Sequence, residues 1–256
     1  MVSSGDKQHW TLSYPEVKDK LTIRSFQRSD QKECVQIFMN GFQDYIKNVA
    51  VVTFLSKLSW YVCMATVFAL LAAMLWSTWI MIVFGIIILI LLTFFYIGLY
   101  VASYKYVNYA MKTDLRDIEK WYMSDEGCHM WVAELFGQVV GMVALRHHEN
   151  HEPGVFELQR MYVVPSYKRM GIGKRMLTEV ITHAKKHRMK MIVLTTSTIE
   201  APAIQLYKKY GFKLVPSNCS VNESDKSIQR PDGEAILAIL TDVVHLKSNI
   251  SGNVET

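Results

Sequence analysis

Between Lys57 and Lys105 the sequence carries no Asp, Glu, Lys, Arg or His. That lack excludes ordinary amphipathic surface helices, which keep a polar face toward water. Hydrocarbon makes a charge expensive, and a membrane helix needs about 20 apolar residues, so the run is long enough for two crossings or one re-entrant hairpin. A buried pair of core helices is the alternative. Also missing is any apolar stretch among the first 20 residues that resembles a cleavable signal peptide, so membrane insertion is expected from the internal segment. The four cysteines, Cys34, Cys63, Cys128 and Cys219, show no C-x-x-C spacing. Neither a zinc site nor a disulfide framework is indicated, and reduced thiols are expected. The formal net charge of +5 is too small and scattered for nucleic-acid binding, but it suits an anionic ligand or membrane surface. No internal repeat or low-complexity tract appears; residues 216–234 and the last ten read as polar loop and tail.

What is present divides the chain into a polar N-terminal tail (1–20), one domain in two pieces (21–57 and 105–241), a hairpin insertion (58–104) and a C-terminal tail (242–256). Trp76-Ser77-Thr78-Trp79 suits a tight turn at an interface. Two crossings leave both flanks on one side, and Lys47, Lys57, Lys105, Lys112 and Arg116 favour the cytoplasm. Asn-x-Ser sequons at Asn218, Asn222 and Asn249 argue for the lumen, with less weight because such triplets arise by chance.

Leu21 to Arg24 alternates like a strand, and Ser29-Asp30 with Glu33 reads as a capping box before a helix carrying Phe38 and Phe42. Thr113 and Asp114 are expected to cap a second helix with Leu115, Ile118, Trp121 and Tyr122 on its buried stripe. Strands follow at Met130–Leu135, Gln138–Arg146 and Phe156–Val164, the first two joined by a turn at Phe136-Gly137. Gly171–Lys186 is an amphipathic helix, Met191–Thr195 a strand, Ala203–Lys209 a helix and Ala235–Leu240 a last strand. The order predicts a mixed α/β layered domain.

Gly171 and Gly173 stand at the entrance of the amphipathic helix. Backbone N–H groups there can converge on one concavity, the helix N-terminus favours phosphate oxygens, and Tyr167, Lys168 and Arg169 sit beside it. An anionic diphosphate is the natural occupant, although a plain strand-to-helix turn uses similar residues. Along the preceding strand, alternation puts Glu157, Gln159, Met161 and Val163 on one face and Leu158, Arg160 and Tyr162 on the other. Glu157 is either a candidate general base or a carboxylate paired with Arg160 or a lysine. The imidazole-rich loop Arg146-His147-His148-Glu149-Asn150-His151-Glu152 reads as a solvated hairpin loop, with Arg146 or His148 as possible contacts for an acceptor carboxylate; no metal is expected.

Lys168-x-x-Gly171-x-Gly173 resembles the acetyl-CoA signature of the Gcn5-related N-acetyltransferase superfamily, and Ala203-x-x-Leu206-Tyr207-x-x-x-Gly211-Phe212 resembles its other motif. Glu157 to Val163 looks like its central strand; the resemblance covers residues 21–46 and 113–241. Two positions depart from the pattern: Lys168 stands where Gln or Arg is usual, and Glu200 where Asn is frequent. Thr113 to Ile118, Trp131 to Glu134 and Val139 to Val143, together with the uncharged insertion, are similar to the camello-like family, N-acetyltransferase family eight.

The resemblance implies a mixed, mainly antiparallel sheet flanked by helices, with a transmembrane hairpin inserted between the first two helices. It implies acetyl-CoA as cosubstrate, held by the backbone at Met161 and Val163 and by Lys168, Arg169, Met170, Gly171, Ile172, Gly173 and Lys174, with Glu157 as base and Tyr207 as general acid. It further implies direct transfer to the amine of an amino acid or cysteine S-conjugate, or to protein lysines, at the endoplasmic reticulum membrane. A catalytically silent membrane-anchored binding protein of the same fold is the competing expectation.

Overall fold

The computed structural model describes residues 19–56, 58–75, 78–149, 151–215 and 243–250. Among the described residues seven strands form one sheet in the order β1-β2-β3-β4-β5-β7-β6: β1 (Leu21–Ser25), β2 (His129–Leu135), β3 (Gln138–Arg146), β4 (Val155–Val163), β5 (Met191–Ser197), β6 (Lys213–Val215) and β7 (Val243–Asn249). Every neighbouring pair is antiparallel except β4 and β5, which run parallel. Phe136 (φ 53°) and Gly137 (φ 76°) make the expected two-residue turn between β2 and β3, since a hairpin of that length wants positive φ at both positions.

Helices cover both faces. On one lie α5 (Ile172–Lys186) and α6 (Ala201–Lys209). The α5 residues Ile172, Met176, Leu177, Val180 and Ala184, which share one helix face, are buried against Trp131, Val143 and Leu158 of the sheet. Each fully buried side chain of this size contributes roughly 1.5–3 kcal/mol. On the other face, α1 (Gln31–Ser56) and the short α4 (Ile118–Tyr122) bury Phe38, Ile118 and Tyr122 against Met130, Val132, Met142 and Ala144. Because β2 and β3 are covered on both sides, they read as nearly continuous apolar runs.

Two further helices, α2 (Leu58–Leu75) and α3 (Thr78–Lys112), lie against each other, with Phe68 stacked on Phe84 at 3.6 Å between ring centroids. The 35 residues of α3 extend about 52 Å at 1.5 Å each. Within α3, Ile82–Lys112 is long and apolar enough to cross a membrane, and its Ile86, Leu89, Leu91, Phe94 and Tyr96 are exposed. The C-terminal part of α3 returns along α1, where Tyr106 stacks on Phe42 at 4.9 Å. Trp76 and Ser77 lie outside the described residues, as do Asn218, Asn222 and Cys219.

Four expectations change. The capping box forms three residues earlier: Gln27 N–H donates to Asp30 Oδ2 at 2.9 Å, while Glu33 accepts from Val139 N–H on the sheet. Asp117, not Thr113 or Asp114, caps α4 by accepting from Lys120 N–H, because Asp114 is turned inward to a buried arginine. Ala235–Leu240 lies outside the described residues, and the strand beside β5 is Val243–Asn249, inside the stretch read as the C-terminal tail. It escaped notice because Lys247 and Asn249 alternate with buried Leu246 and Ser248, which gives a half-polar pattern. Strict alternation along β4 also fails. Met142 pairs with Tyr162 and Ala144 with Gln159, so three steps on β4 oppose two on β3, and Arg160 takes φ 51° in this bulge. The bulge places Leu158, Met161 and Val163 on the α5 side, and Gln159, Arg160 and Tyr162 on the α1 side.

Candidate active site

β4 and β5 pair only where Val155, Phe156 and Glu157 meet Met191, Ile192 and Val193. Beyond that point β4 continues to Val163 and β5 to Ser197 without pairing, which opens a wedge between parallel strands. Val164 N–H donates to Val140 C=O at 2.9 Å on the β3 side. Val163 pairs with Gly141 and Tyr162 with Met142, so alternation from Val164 points the N–H of Val163 away from β3, into the wedge. Backbone groups there remain available to an extended, amide-bearing ligand.

The mouth of the wedge is formed by the turn into α5. Arg169 (φ 65°) and Gly171 (φ 78°) both take the left-handed conformation, which brings the chain sharply round. The first bond of the helix runs from Arg175 N–H to Gly171 C=O at 3.1 Å, so the N–H groups of Ile172, Gly173 and Lys174 have no intrahelical acceptor. Ile172 is buried and Met170 packs against the core, while Lys168, Arg169 and Lys174 are exposed beside the helix end. A Cβ at Gly173 would lie 3.5 Å from both Leu206 Cδ2 and Met161 Cε, which shows how closely this turn sits against α6 and β4. The arrangement fits a diphosphate: an array of N–H donors, the positive end of a 15-residue helix dipole and three cations.

Tyr207 on α6 is 5% exposed, and its hydroxyl donates to Met161 Sδ at 3.3 Å. Burial, with the nearby Glu200 carboxylate, pushes its pKa well up, so the phenol keeps its proton. Glu157 stands at the closed end of the wedge. Its Oε2 lies 3.0 Å from His148 Nε2 and accepts from Gln159 Nε2 at 2.9 Å. Burial opposes ionisation of Glu157, but the His148 hydrogen bond and charge, with Gln159 and His151, outweigh it and hold the pKa below the usual carboxylate value. Among the described residues no hydrogen bond joins Glu157 to Tyr207, and the two approach the wedge from β4 and α6.

A buried polar chain continues behind Glu157. Tyr122 hydroxyl is 3.2 Å from Gln159 Oε1 and donates to Asp114 Oδ2 at 2.7 Å. Asp114 receives two bonds from Arg160, Nε at 2.7 Å and Nη2 at 2.9 Å, and Arg160 Nη1 donates to Tyr106. Burial raises the Asp114 pKa, yet the charge and hydrogen bonds of Arg160, then Tyr122 and Thr113, outweigh it and leave the group lowered. The pairing of Glu157 with Arg160 considered from sequence is thus replaced by Glu157 with His148 and Arg160 with Asp114.

The sequence profile of the Acetyltransferase (GNAT) family matches residues 97–212. N-acetylaspartate synthetase of Xenopus tropicalis is 32% identical over 218 residues, covering 83% of this chain and 74% of the relative. N-acetyltransferase 8F1 of Mus musculus is 32% identical over 193 residues, covering 75% of this chain and 85% of the relative. The chain belongs to the GNAT acetyltransferases. Within them it is a camello-like, family 8 member, and hence an N-acetyltransferase. A GNAT-family acetyltransferase of Staphylococcus aureus has a similar fold at 15% identity, with a TM-score of 0.54 over 90% of this chain and 99% of that one.

In this N-acetyltransferase the residues singled out from sequence gather around one wedge: Met161 and Val163 on its β4 arm, Gly171 to Lys174 at its mouth, Tyr207 across from Met161 and Glu157 at its base. What sequence reading missed is the chain Gln159-Tyr122-Asp114-Arg160. A usable signal was present, since Gln159 and Arg160, with Glu157, interrupt the apolar run of β4, but the partners of Gln159 and Arg160 lie 37 and 46 residues away.

Proposed function

We propose that this N-acetyltransferase transfers the acetyl group of acetyl-CoA directly to the amine of an amino acid or a cysteine S-conjugate. The observation that carries the reading is the wedge closed at its mouth by the free N–H groups of α5, with Lys168, Arg169 and Lys174 outside it. The turn from Lys168 through Met170 to Gly173 holds the diphosphate of CoA. The backbone N–H groups of Met161 and Val163 hold the pantetheine arm and the thioester carbonyl, where donors aimed at a developing oxyanion lower the barrier. Glu157, ionised at neutral pH, takes a proton from the acceptor ammonium. Tyr207, which keeps its proton because it is buried, donates to the departing thiolate. The name of the Xenopus relative, N-acetylaspartate synthetase, supports an amino acid as acceptor.

Helix α2 and the uncharged part of α3, up to Tyr104, form a hairpin in the endoplasmic reticulum membrane, and the catalytic domain faces the cytosol. Support comes from the exposed apolar side chains of α3 and from the lysines that flank the hairpin. Asn249, one of three sequons that argued for the lumen, lies in β7 opposite Met191.

The test is CoA release by detergent-solubilised protein with cysteine S-conjugates, aspartate and lysine peptides. Release with an amino acid or conjugate is expected, and Tyr207→Phe should lower kcat by about 10²-fold or more. Release with lysine peptides alone would overturn the acceptor, and unchanged turnover of Tyr207→Phe would overturn its role.

A further inference from the structure

We propose that His148, in the loop between β3 and β4, is a positioning residue and proton relay that empties Glu157 after it has taken the proton of the acceptor amine. The inference rests on the reading of Glu157 as the base.

His148 Nε2 lies 3.0 Å from Glu157 Oε2 and 2.9 Å from Gln159 Nε2. The same Gln159 nitrogen is 2.9 Å from Glu157 Oε2. Gln159 donates one N–H to Glu157 Oε2, and turning its amide over would face its oxygen to the carboxylate. The role of His148 Nε2 follows its tautomer. With a proton between them, Nε2 and Oε2 form the hydrogen bond that, with the imidazolium charge, keeps the Glu157 pKa low. With Nε2 bare, there is room for one proton at that place. Glu157 and His148 thus share a single proton position, and the acceptor ammonium is the source that fills it.

The step balances. An ammonium gives one proton to Glu157 Oε2, which passes it to His148 Nε2, and the imidazolium returns a proton to water or buffer. The amine nitrogen then bonds the thioester carbon, the carbon–sulfur bond breaks, and the second ammonium proton ends on the CoA thiol by way of Tyr207. Ammonium plus thioester gives amide, thiol and one released proton. Position matters as much as basicity. His148 is 27% exposed and Glu157 24%, so the ring connects a half-buried carboxylate to solvent without opening the wedge. The groups around the pair are Gln159 on β4, Tyr122 on α4, Arg146 opposite Glu157 on β3, and His151, whose ring is 5.5 Å from that of His148.

The test uses the full chain in detergent with saturating acetyl-CoA and an acceptor that the wild type turns over. His148→Gln can still donate to Glu157 but cannot take up a proton, so kcat should fall about tenfold to a hundredfold while KM for acetyl-CoA stays unchanged. His148→Ala should fall similarly and regain turnover with added imidazoles, more so as their basicity rises; Glu157→Gln should be inactive and gain nothing from them. A basicity-dependent rescue is a result that a purely structural histidine would not produce. Wild-type kcat in His148→Gln, or no rescue of a folded His148→Ala that still binds acetyl-CoA, overturns the relay. If His148→Ala does not fold, His148→Gln alone decides. An active Glu157→Gln overturns the base and the relay with it, while failure to find any amine acceptor that the wild type turns over overturns the proposed function itself.

Discussion

Replacing Asp114 by Asn tests whether the buried chain behind the wedge holds β4 in its bulged form. Asp114 is 6% exposed and takes two hydrogen bonds from Arg160, whose backbone occupies the left-handed region at φ 51°. A left-handed non-glycine residue costs about 1–2 kcal/mol, so the bulge needs compensation from the side chain. Arg160 supplies it through Asp114 and Tyr106, and its guanidinium lies 4.9 Å from the Phe38 ring centroid. Asparagine keeps the shape of Asp114 but removes the charge, leaving a buried guanidinium opposed by neutral groups. Breaking one partner of a buried pair costs about 3–5 kcal/mol, a large share of a total near 5–15 kcal/mol. For a domain of this size that lowers Tm by roughly 6–20 °C. The assay is thermal unfolding in detergent followed by tryptophan fluorescence, with Arg160→Ala and Arg160→Gly in parallel. Glycine at position 160 relieves the backbone and should be the more stable of the two by about 1 kcal/mol. Asp114→Asn melting within 2 °C of wild type, or Arg160→Gly no better than Arg160→Ala, would refute the reasoning. The linkage has a definite sign. The folded pKa of Asp114 is lowered, so its stability is fully present above the unfolded value of about 3.9 and is lost as pH falls through the folded one.

Three other outcomes follow from particular contacts. A Cβ at Gly41 of α1 would lie 2.8 Å from Tyr162 Cδ1, so Gly41→Ala should destabilise by about 1–3 kcal/mol in a denaturant titration, although alanine is the better helix former. Gly171→Ala strains a φ of 78° and should raise the KM for acetyl-CoA with little change in the KM for the acceptor. His129 and His183 have ring centroids 5.2 Å apart and lie beside Trp131; burial and neighbouring imidazoles lower the pKa of both. Lowered imidazoles give stability that is complete above the unfolded value of about 6.5 and is lost as pH falls below it, so melting at pH 7.5 and 5.5 should show a decline that His183→Gln reduces.

Periodicity and turn chemistry made much of this molecule legible in advance. The apolar spacing of Ile172, Met176, Leu177, Val180 and Ala184 defines one helix face by itself, and Phe136-Gly137 suits the turn between β2 and β3. Gly171 and Gly173 mark a helix entrance with free donors because that property depends on a few consecutive residues. The uncharged stretch between Lys57 and Lys105 is equally local, and it marked an apolar insertion whatever the rest of the chain did.

Tertiary structure alone decided which side of β4 each residue faces. One extra residue at Arg160 reverses the alternation, and a bulge is settled by how β3 and α1 pack against the strand rather than by the strand's own sequence. The same bulge sends Arg160 to Asp114 and leaves Glu157 to His148, contacts across 46 and nine positions that no local pattern encodes. Local rules thus determined the helices, the turn at Gly171 and the apolar insertion; long-range packing determined the wedge and the proton path that opens onto it.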